Sequence, residues 1–305
     1  MASVGFIGLG SMGSRLAARL LDGGVEVYGY NRTSARAADL LARGLIWRET
    51  PRELAASSDI TISMVSDDAA LDAVASGPDG LIAGLAPGKV YVDMSTVSPG
   101  MSVDLAGRVR ATGAEMLDAP VSGSVPQAET GTLTIMVGGT EPAFELARPV
   151  LSTLGNKVVH VGGNGKGLIL KLAINISLAS QVIAFSEGLV LAQRAGIDPA
   201  IAANVMSESP IGSAMLKARV PLILDLPEQA WFDVSLLHKD LRLALAAAPA
   251  LGAQLPSARV AEDIFDAAER LGYAHRDIAA VHEVLASHGD ELAVPRDASE
   301  LVAHA

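Results

Sequence analysis

Residues 4–13 read VGFIGLGSMG, and their reading decides how the N-terminal half folds. An apolar, β-favouring run leads directly into Gly8, Gly10 and Gly13 in G-x-G-x-x-G spacing, and a helical pattern, Met12–Asp22, follows at once. Each glycine answers a separate steric demand: a tight turn, close backbone approach to a pyrophosphate, and close packing of helix on strand. The helix N-terminus then presents free N–H groups and a partial positive charge to phosphates. By itself the triplet also fits an ordinary glycine turn. Its strand–turn–helix setting points to a dinucleotide, and the absence of G-x-x-x-x-G-K-[ST] excludes a P-loop.

Outward from this run, short β-rich segments alternate with helical patterns. Expected strands are 4–8, 25–30, 60–65, 90–94, 115–119, 133–139 and 157–161; expected helices between them include 34–42, 69–75 and 100–112. Such alternation implies βαβ units and a mainly parallel sheet covered on both faces. At GGNGKG (162–167) the character changes. A flexible glycine cluster precedes a helical pattern from Gly167 to Ala195, which at ~1.5 Å per residue spans roughly 40 Å. GIDPA (196–200) closes that helix and starts another, with Asp198 as N-cap and Pro199 in its first turn. Further helices are expected over 200–208, 213–224, 236–248, 256–271 and 278–287. The expected fold is α/β: an N-terminal Rossmann-type, doubly wound sheet (1–162), then an all-α domain (163–295) opening on a long interdomain helix, and a tail (296–305).

Composition narrows the function. The chain has 305 residues, is 50% hydrophobic but only 4% aromatic, and carries a net charge of −11. That charge repels nucleic acid and anionic membrane, while a few local cations still suffice to hold a small anionic substrate. No cysteine is present, which removes disulfides, thiolate zinc sites and cysteine nucleophiles. The six histidines form no i,i+4 pair, against a helical metal site. The N-terminus lacks a basic region before its short apolar run. The longest charge-free apolar stretch, Leu172 to Ser186, falls short of the ~20 residues a bilayer requires. A soluble, cytoplasmic protein is expected.

The end of the second strand bears on cofactor choice. An NAD site places Asp or Glu there to hold the ribose 2′-OH. Here Asn31, Arg32 and Thr33 follow the strand, with Arg36 one turn on. Without a carboxylate nothing repels a 2′-phosphate, and Arg32 can pair with it, so NADP(H) is expected. Arg32 also fits a stacking or solvent-facing role.

Three later segments carry chemistry. LDAPVSGSVPQAETGTL (117–133) reads as a loop in which Ser122, Gly123 and Ser124 offer hydroxyls and unhindered N–H groups suited to a carboxylate, or simply form a strand-to-helix turn. GLILKLAINIS (167–177) places Lys171 and Asn175 at i,i+4 on one face of an otherwise apolar helix. An ammonium there loses hydration and needs a role or a partner; a snorkelling lysine beside a structural amide is the plainer alternative. SLLHKDLRLAL (235–245) carries Lys239 and Asp240 at the start of a later helix, a pair that also fits a solvated salt bridge.

Together these four stretches resemble the β-hydroxyacid dehydrogenase family, over residues 3 to about 290. The match includes the Met12-containing glycine loop, DAPVSG…A…GTL, the glycine cluster followed by K-x-x-x-N, and K-D-x-x-L-A. NRT, SGS in place of the commoner SGG, and AFSEGLVLA (184–192) look most like the NADPH-dependent glyoxylate and succinic semialdehyde reductases within it. The resemblance implies interconversion of a small hydroxy acid with its semialdehyde or keto acid. Lys171 is then the acid/base, and Asn175 orients the substrate oxygen. Ser122 and Gly123 bind the substrate carboxylate. The loop Gly8-Leu9-Gly10-Ser11-Met12-Gly13 holds the cofactor, with Met64, Val65 and Thr96 lining its nicotinamide side. Lys239 reaches toward nicotinamide and substrate, supported by Asp240. Ser124 is the departure, narrowing or repolarising the substrate pocket.

Hydride transfer to a carbonyl leaves a developing alkoxide, and a positioned acid contributes about 10²–10⁴-fold. That favours a catalytic Lys171. Imine reductases resemble this fold but typically place Asp or Tyr at that position. A non-catalytic NADP-binding scaffold would be free to lose Lys171, Asn175 or Lys239, and all three are present. The long helix, apolar on nearly every face, implies a partner subunit over part of it, hence a homodimer or homotetramer.

Overall fold

The apolar run after Ser3 forms β1 (Val4–Ile7), and the third glycine lies inside α1 (Ser11–Asp22). A computed structural model describes residues 2–292, the last three as backbone; the expected tail, 296–305, lies outside them. In chain order follow β2 (Val27–Tyr30), α2 (Ala38–Ala42), β3 (Ile46–Trp47), α3 (Pro51–Ser57), β4 (Ile60–Ser63), α4 (Asp68–Ala75), β5 (Val90–Asp93) and α5 (Pro99–Arg110). Next come β6 (Glu115–Asp118), β7 (Val121–Ser122), α6 (Val125–Thr130), β8 (Thr134–Gly138), α7 (Glu141–Leu154), β9 (Lys157–Gly162) and α8 (Lys166–Arg194). The remainder is helical: α9 (Pro199–Glu208), α10 (Ala214–Leu224), α11 (Val234–Ala247), α12 (Pro256–Ala268) and α13 (Val281–Leu292).

The chain forms two compact units, Met1–Ile174 with Ala246–Ala253, and Asn175–Leu245 with Gln254 onward. In the first, one sheet runs β3-β2-β1-β4-β5-β6-β8-β7, with β9 beside β8. Pairing is parallel from β3 through β6; β8 turns antiparallel to β6 and β7 and parallel to β9. Strand order reverses at β1, which lies between β2 and β4, so a crevice opens beyond its C-terminal end. Alternate side chains feed two cores. Val4, Phe6, Val90 and Val92 pack with Leu16 and Leu20 of α1 and Leu151 of α7. Ile7 and Tyr91 pack on the other face with Leu54, Leu71 and Leu105. A doubly wound sheet follows from that two-faced burial.

The second unit has its own cores: Val182, Leu237, Phe265 and Val281 in one, Phe185, Leu189 and Leu216 in another. α8 passes the length and composition test for crossing a bilayer, with mean hydropathy 1.8, although its charge-free stretch is short. Beside buried Ile183 and Phe185, most of its buried positions follow one stripe, Leu168, Leu172, Asn175, Ala179, Val182, Ser186 and Leu189. Their alternating steps of three and four are the pattern of a helix with one packed face.

Two local expectations need correction. Residues 117–133 are not simply loop. They hold the end of β6, β7 and the helix α6, whose start is a capping box in which Gln127 Oε1 accepts the Ser124 amide proton at 2.9 Å. The S-x-x-Q spacing carries that signal in the sequence. The helical pattern over 256–271 leaves α-geometry at Ala268, where a wider turn, Glu269–Tyr273, contains Gly272 at φ 93°. In the glycine cluster at 162–167, particular positions are constrained by their neighbours. A Cβ on Gly167 would approach Asp118 Oδ2 to 2.8 Å, and Gly165 has φ +85°, so these glycines answer close packing and a turn.

Candidate active site

The glycine loop is stereochemically specialised at each position. A Cβ on Gly8 would strike the Met64 carbonyl, and one on Gly13 the Gly8 carbonyl; one on Gly10 would meet nothing within 4 Å. The first and third glycines are therefore demanded by the protein itself. The second leaves open space beside the N-terminus of α1, where Gly10 supplies no side-chain cap. A cavity of about 530 Å³ adjoins it, lined by Gly10, Ser11, Ser14, Arg15 and Arg36 among others. Uncapped N–H groups facing open space fit a cofactor pyrophosphate.

Around this loop the expected cofactor residues converge at the strand ends. The Leu9 amide donates to Asn31 Oδ1 at 2.9 Å, while Asn31 Nδ2 donates to the Thr33 carbonyl at 2.9 Å. Asn31 thus braces the glycine loop against the end of β2. Arg32 and Arg36 stand exposed just beyond, with no carboxylate from Asn31 to Arg36. Met64 and Val65 follow β4, and the Val65 amide donates to Ser95 Oγ at 2.9 Å, next to Thr96. Ser11 is exposed, and Met12 packs its side chain against the α1 core.

Beneath these strand ends lies a buried polar chain that sequence reasoning missed. Asp93 Oδ1 accepts from Ser63 Oγ at 2.7 Å and Ser95 Oγ at 2.6 Å, and Ser63 Oγ meets Tyr91 Oη at 2.7 Å. Burial pushes the Asp93 carboxyl above the usual carboxylate range, opposed by the hydroxyls of Ser95 and Ser63. Its signal in the sequence was a polar pair, Ser63 and Asp93, ending two apolar strands. Asp118, ending β6 in the same way, was also missed. Its Oδ1 accepts from the Gly165 amide at 2.7 Å and its Oδ2 from the Leu168 amide at 3.1 Å, at the start of α8.

Ser122 ends β7, half-buried, and Gly123 follows at φ +130°, where a Cβ would approach Leu133 Cδ2 to 2.7 Å. Ser124 starts α6 as its capping residue, a helix-forming role that the substrate-pocket reading overlooked. Lys171 lies in the second turn of α8, half-buried at the margin of the packed stripe rather than sunk among apolar side chains.

In the second unit, two distant motifs meet on one carboxylate. Asn175, 1% exposed, donates through Nδ2 to Asp240 Oδ2 at 2.5 Å, and Lys239 Nζ lies 3.1 Å from Asp240 Oδ1. α11 begins at Val234, two residues ahead of expectation, which puts Lys239 and Asp240 in its second turn. Because an ionised carboxylate only accepts, the Asn175 amide must turn its NH₂ toward Asp240. Its Oδ1 is then left buried and without a hydrogen-bond donor among the described residues.

Comparison with known proteins identifies the family. Residues 3–162 match the NAD binding domain of 6-phosphogluconate dehydrogenase, and residues 165–285 the NAD-binding domain of NADP-dependent 3-hydroxyisobutyrate dehydrogenase. Glyoxylate/succinic semialdehyde reductase 2 of Arabidopsis thaliana is 35% identical over 93% of this chain and 79% of its own. The 3-hydroxyisobutyrate dehydrogenase of Mycobacterium tuberculosis, solved with L-serine, superposes with a TM-score of 0.82 at 30% identity, over 93% of this chain and 99% of that one. An imine reductase from Myxococcus stipitatus, at 21% identity and a TM-score of 0.64 over 93% and 99%, shares the fold alone. By domain order, sequence and fold, this chain belongs to the β-hydroxyacid dehydrogenase family, a family of oxidoreductases built on an NAD(P)-binding domain.

Proposed function

We propose that this protein is an NADP-dependent oxidoreductase interconverting a small hydroxy acid and its semialdehyde or keto acid, of the glyoxylate, succinic semialdehyde or 3-hydroxyisobutyrate class. The observation that carries the reading is the shared carboxylate of Asp240, on which the K-x-x-x-N and K-D segments, 65 residues apart, both close. An amide held in one orientation by a buried carboxylate is a costly arrangement unless its remaining oxygen has a use. Here Lys171, one helical turn before Asn175, takes the hydroxyl proton of the alcohol form and returns it to the substrate oxygen in the reverse direction, while Asn175 orients that oxygen. The nicotinamide supplies or takes the hydride. Lys239, held by Asp240, and the Ser122–Gly123 corner bind the substrate carboxylate. Exposed Arg32, beyond a β2 end without a carboxylate, favours the 2′-phosphate of NADP.

The test is steady-state kinetics with NADPH and NADH on glyoxylate, succinic semialdehyde and a cyclic imine, and with NADP⁺ and NAD⁺ on 3-hydroxyisobutyrate, for the wild type and Lys171→Ala. The reading expects turnover of at least one acid with NADPH preferred. Lys171→Ala should lose about 10²-fold or more in kcat with cofactor affinity little changed. Highest kcat/KM on the imine, or near-normal kcat in Lys171→Ala, would overturn it.

A further inference from the structure

We propose that Asp118 is a positioning residue for Lys171, acting through the N-terminus of α8. The inference rests on the acid/base role given to Lys171 above. Asp118 ends β6, fully buried, and α8 begins at Lys166, only four residues after β9 ends. The carboxylate takes two of the amide protons that a helix start leaves without intrahelical partners, those of Gly165 and Leu168. Unlike an ordinary N-cap, the capping side chain comes from a strand 47 residues away in sequence. The cap therefore does more than stop fraying. It fixes the axial position and the rotation of the first turn of α8 against the C-terminal end of β6.

The surrounding residues are arranged around this contact. A Cβ on Gly138 would approach Asp118 Oδ1 to 2.6 Å, and one on Gly167 would approach Oδ2 to 2.8 Å. Two glycines thus give way to one carboxylate. Asn164 Nδ2 adds a tie to the neighbouring Met116 carbonyl at 2.8 Å, anchoring the approach to the helix on the same strand. The negative charge also complements the positive end of a 29-residue helix. Against this stands the cost of burial, which pushes the carboxyl above the usual carboxylate range despite the amides of Gly165 and Leu168 that favour its charged form. Helix stability alone is met by a serine or threonine cap at no such cost. A buried carboxylate locking rotation is what a proton-transfer group three residues beyond Leu168 requires, since misplacement by about 1 Å costs on the order of 10²-fold in rate.

Asp118→Asn tests this. The isosteric amide keeps one acceptor and turns a donor toward the second N–H, loosening the first turn while preserving volume. We expect kcat to fall about tenfold or more, NADPH affinity to stay within about twofold, and the substrate KM to change little. A double-mutant cycle with Lys171→Ala separates positioning from bulk structure. If Asp118 acts through Lys171, Asp118→Asn should cost less than about twofold further in the Lys171→Ala background. An unchanged kcat in folded Asp118→Asn, alongside a large loss in Lys171→Ala, overturns the inference and leaves the Lys171 reading standing. So does an equal fractional loss in both backgrounds. Near-normal kcat in Lys171→Ala alone defeats the Lys171 reading and this inference with it. Should Asp118→Asn not fold, Asp118→Ser retains one cap bond without the charge, and the same cycle is read on it.

Discussion

Lys171 and Arg32 look alike in the sequence, each a lone cation beside a motif, but they occupy different surroundings. Lys171 stands half-buried at the edge of a packed stripe. Arg32 stands exposed past the end of β2. Asn31, which the sequence grouped with Arg32, is already engaged in bracing Leu9 and Thr33. An Asn31→Asp exchange would set a carboxylate against the Thr33 carbonyl, so cofactor preference is better tested at Arg32 alone. Arg32→Ala should weaken NADPH binding by about 10–10²-fold, the worth of a charged hydrogen bond to phosphate, and leave NADH nearly unaffected. Parallel titrations of both cofactors, read by fluorescence, decide it; equal weakening of the two would show that Arg32 does not read the 2′-phosphate.

At the scale of elements, the turn from β1 into α1 separates folding from binding in a single motif. Gly13→Ala drives a methyl into the Gly8 carbonyl and should destabilise the protein strongly. Gly10→Ala adds a methyl to open space. Its melting temperature should stay within a degree or two of wild type while NADPH affinity drops at least tenfold, because that space is where a pyrophosphate meets the helix. Calorimetry and cofactor titration on both variants check the split. The ends of β4 and β5 make a second case through Asp93, whose carboxyl burial raises above its unfolded value. The native state then holds its proton to higher pH than the unfolded chain. This contribution to stability is fully present below the unfolded pKa and is lost as pH rises through the folded one. Asp93→Asn lacks the slope, so its melting temperature relative to wild type should climb as pH rises from the ordinary aspartate range. A difference that stays flat with pH would mean that Asp93 does not titrate in that range.

For the whole molecule, only 39% of the most apolar window of α8 is buried by this chain. Leu191, Ile201 and Val205 are 73%, 61% and 64% exposed, and Ile197, Ile201 and Val205 recur every fourth residue through the start of α9. An apolar face of that kind needs cover in water. We propose that a second copy of the chain supplies it, as a homodimer or homotetramer. Sedimentation of the wild type should give a mass above the 31.3 kDa of one chain. Ile201→Glu with Val205→Glu should shift it toward the monomer, and a wild type that sediments as a monomer at micromolar concentration rules the proposal out.

The Rossmann-type half was legible in the sequence because its signals are local: short β-favouring apolar runs between helical patterns, and glycines at fixed spacing, both act within a few residues. So was the membership of Lys171, Asn175 and Lys239 in one set of motifs. What escaped was each feature whose partner lies far along the chain. Ser63 and Asp93 are 30 residues apart, Asp118 and Gly165 are 47 apart, and Asn175 and Asp240 are 65 apart. In sequence, Asp93 and Asp118 are single polar letters at the ends of apolar runs, with nothing to distinguish a solvated terminus from a buried cap. Only folding decides which of them are desolvated. A buried carboxylate must find its amides and hydroxyls in three dimensions, and the strand order that brings them together is a property of the whole sheet rather than of any stretch within it.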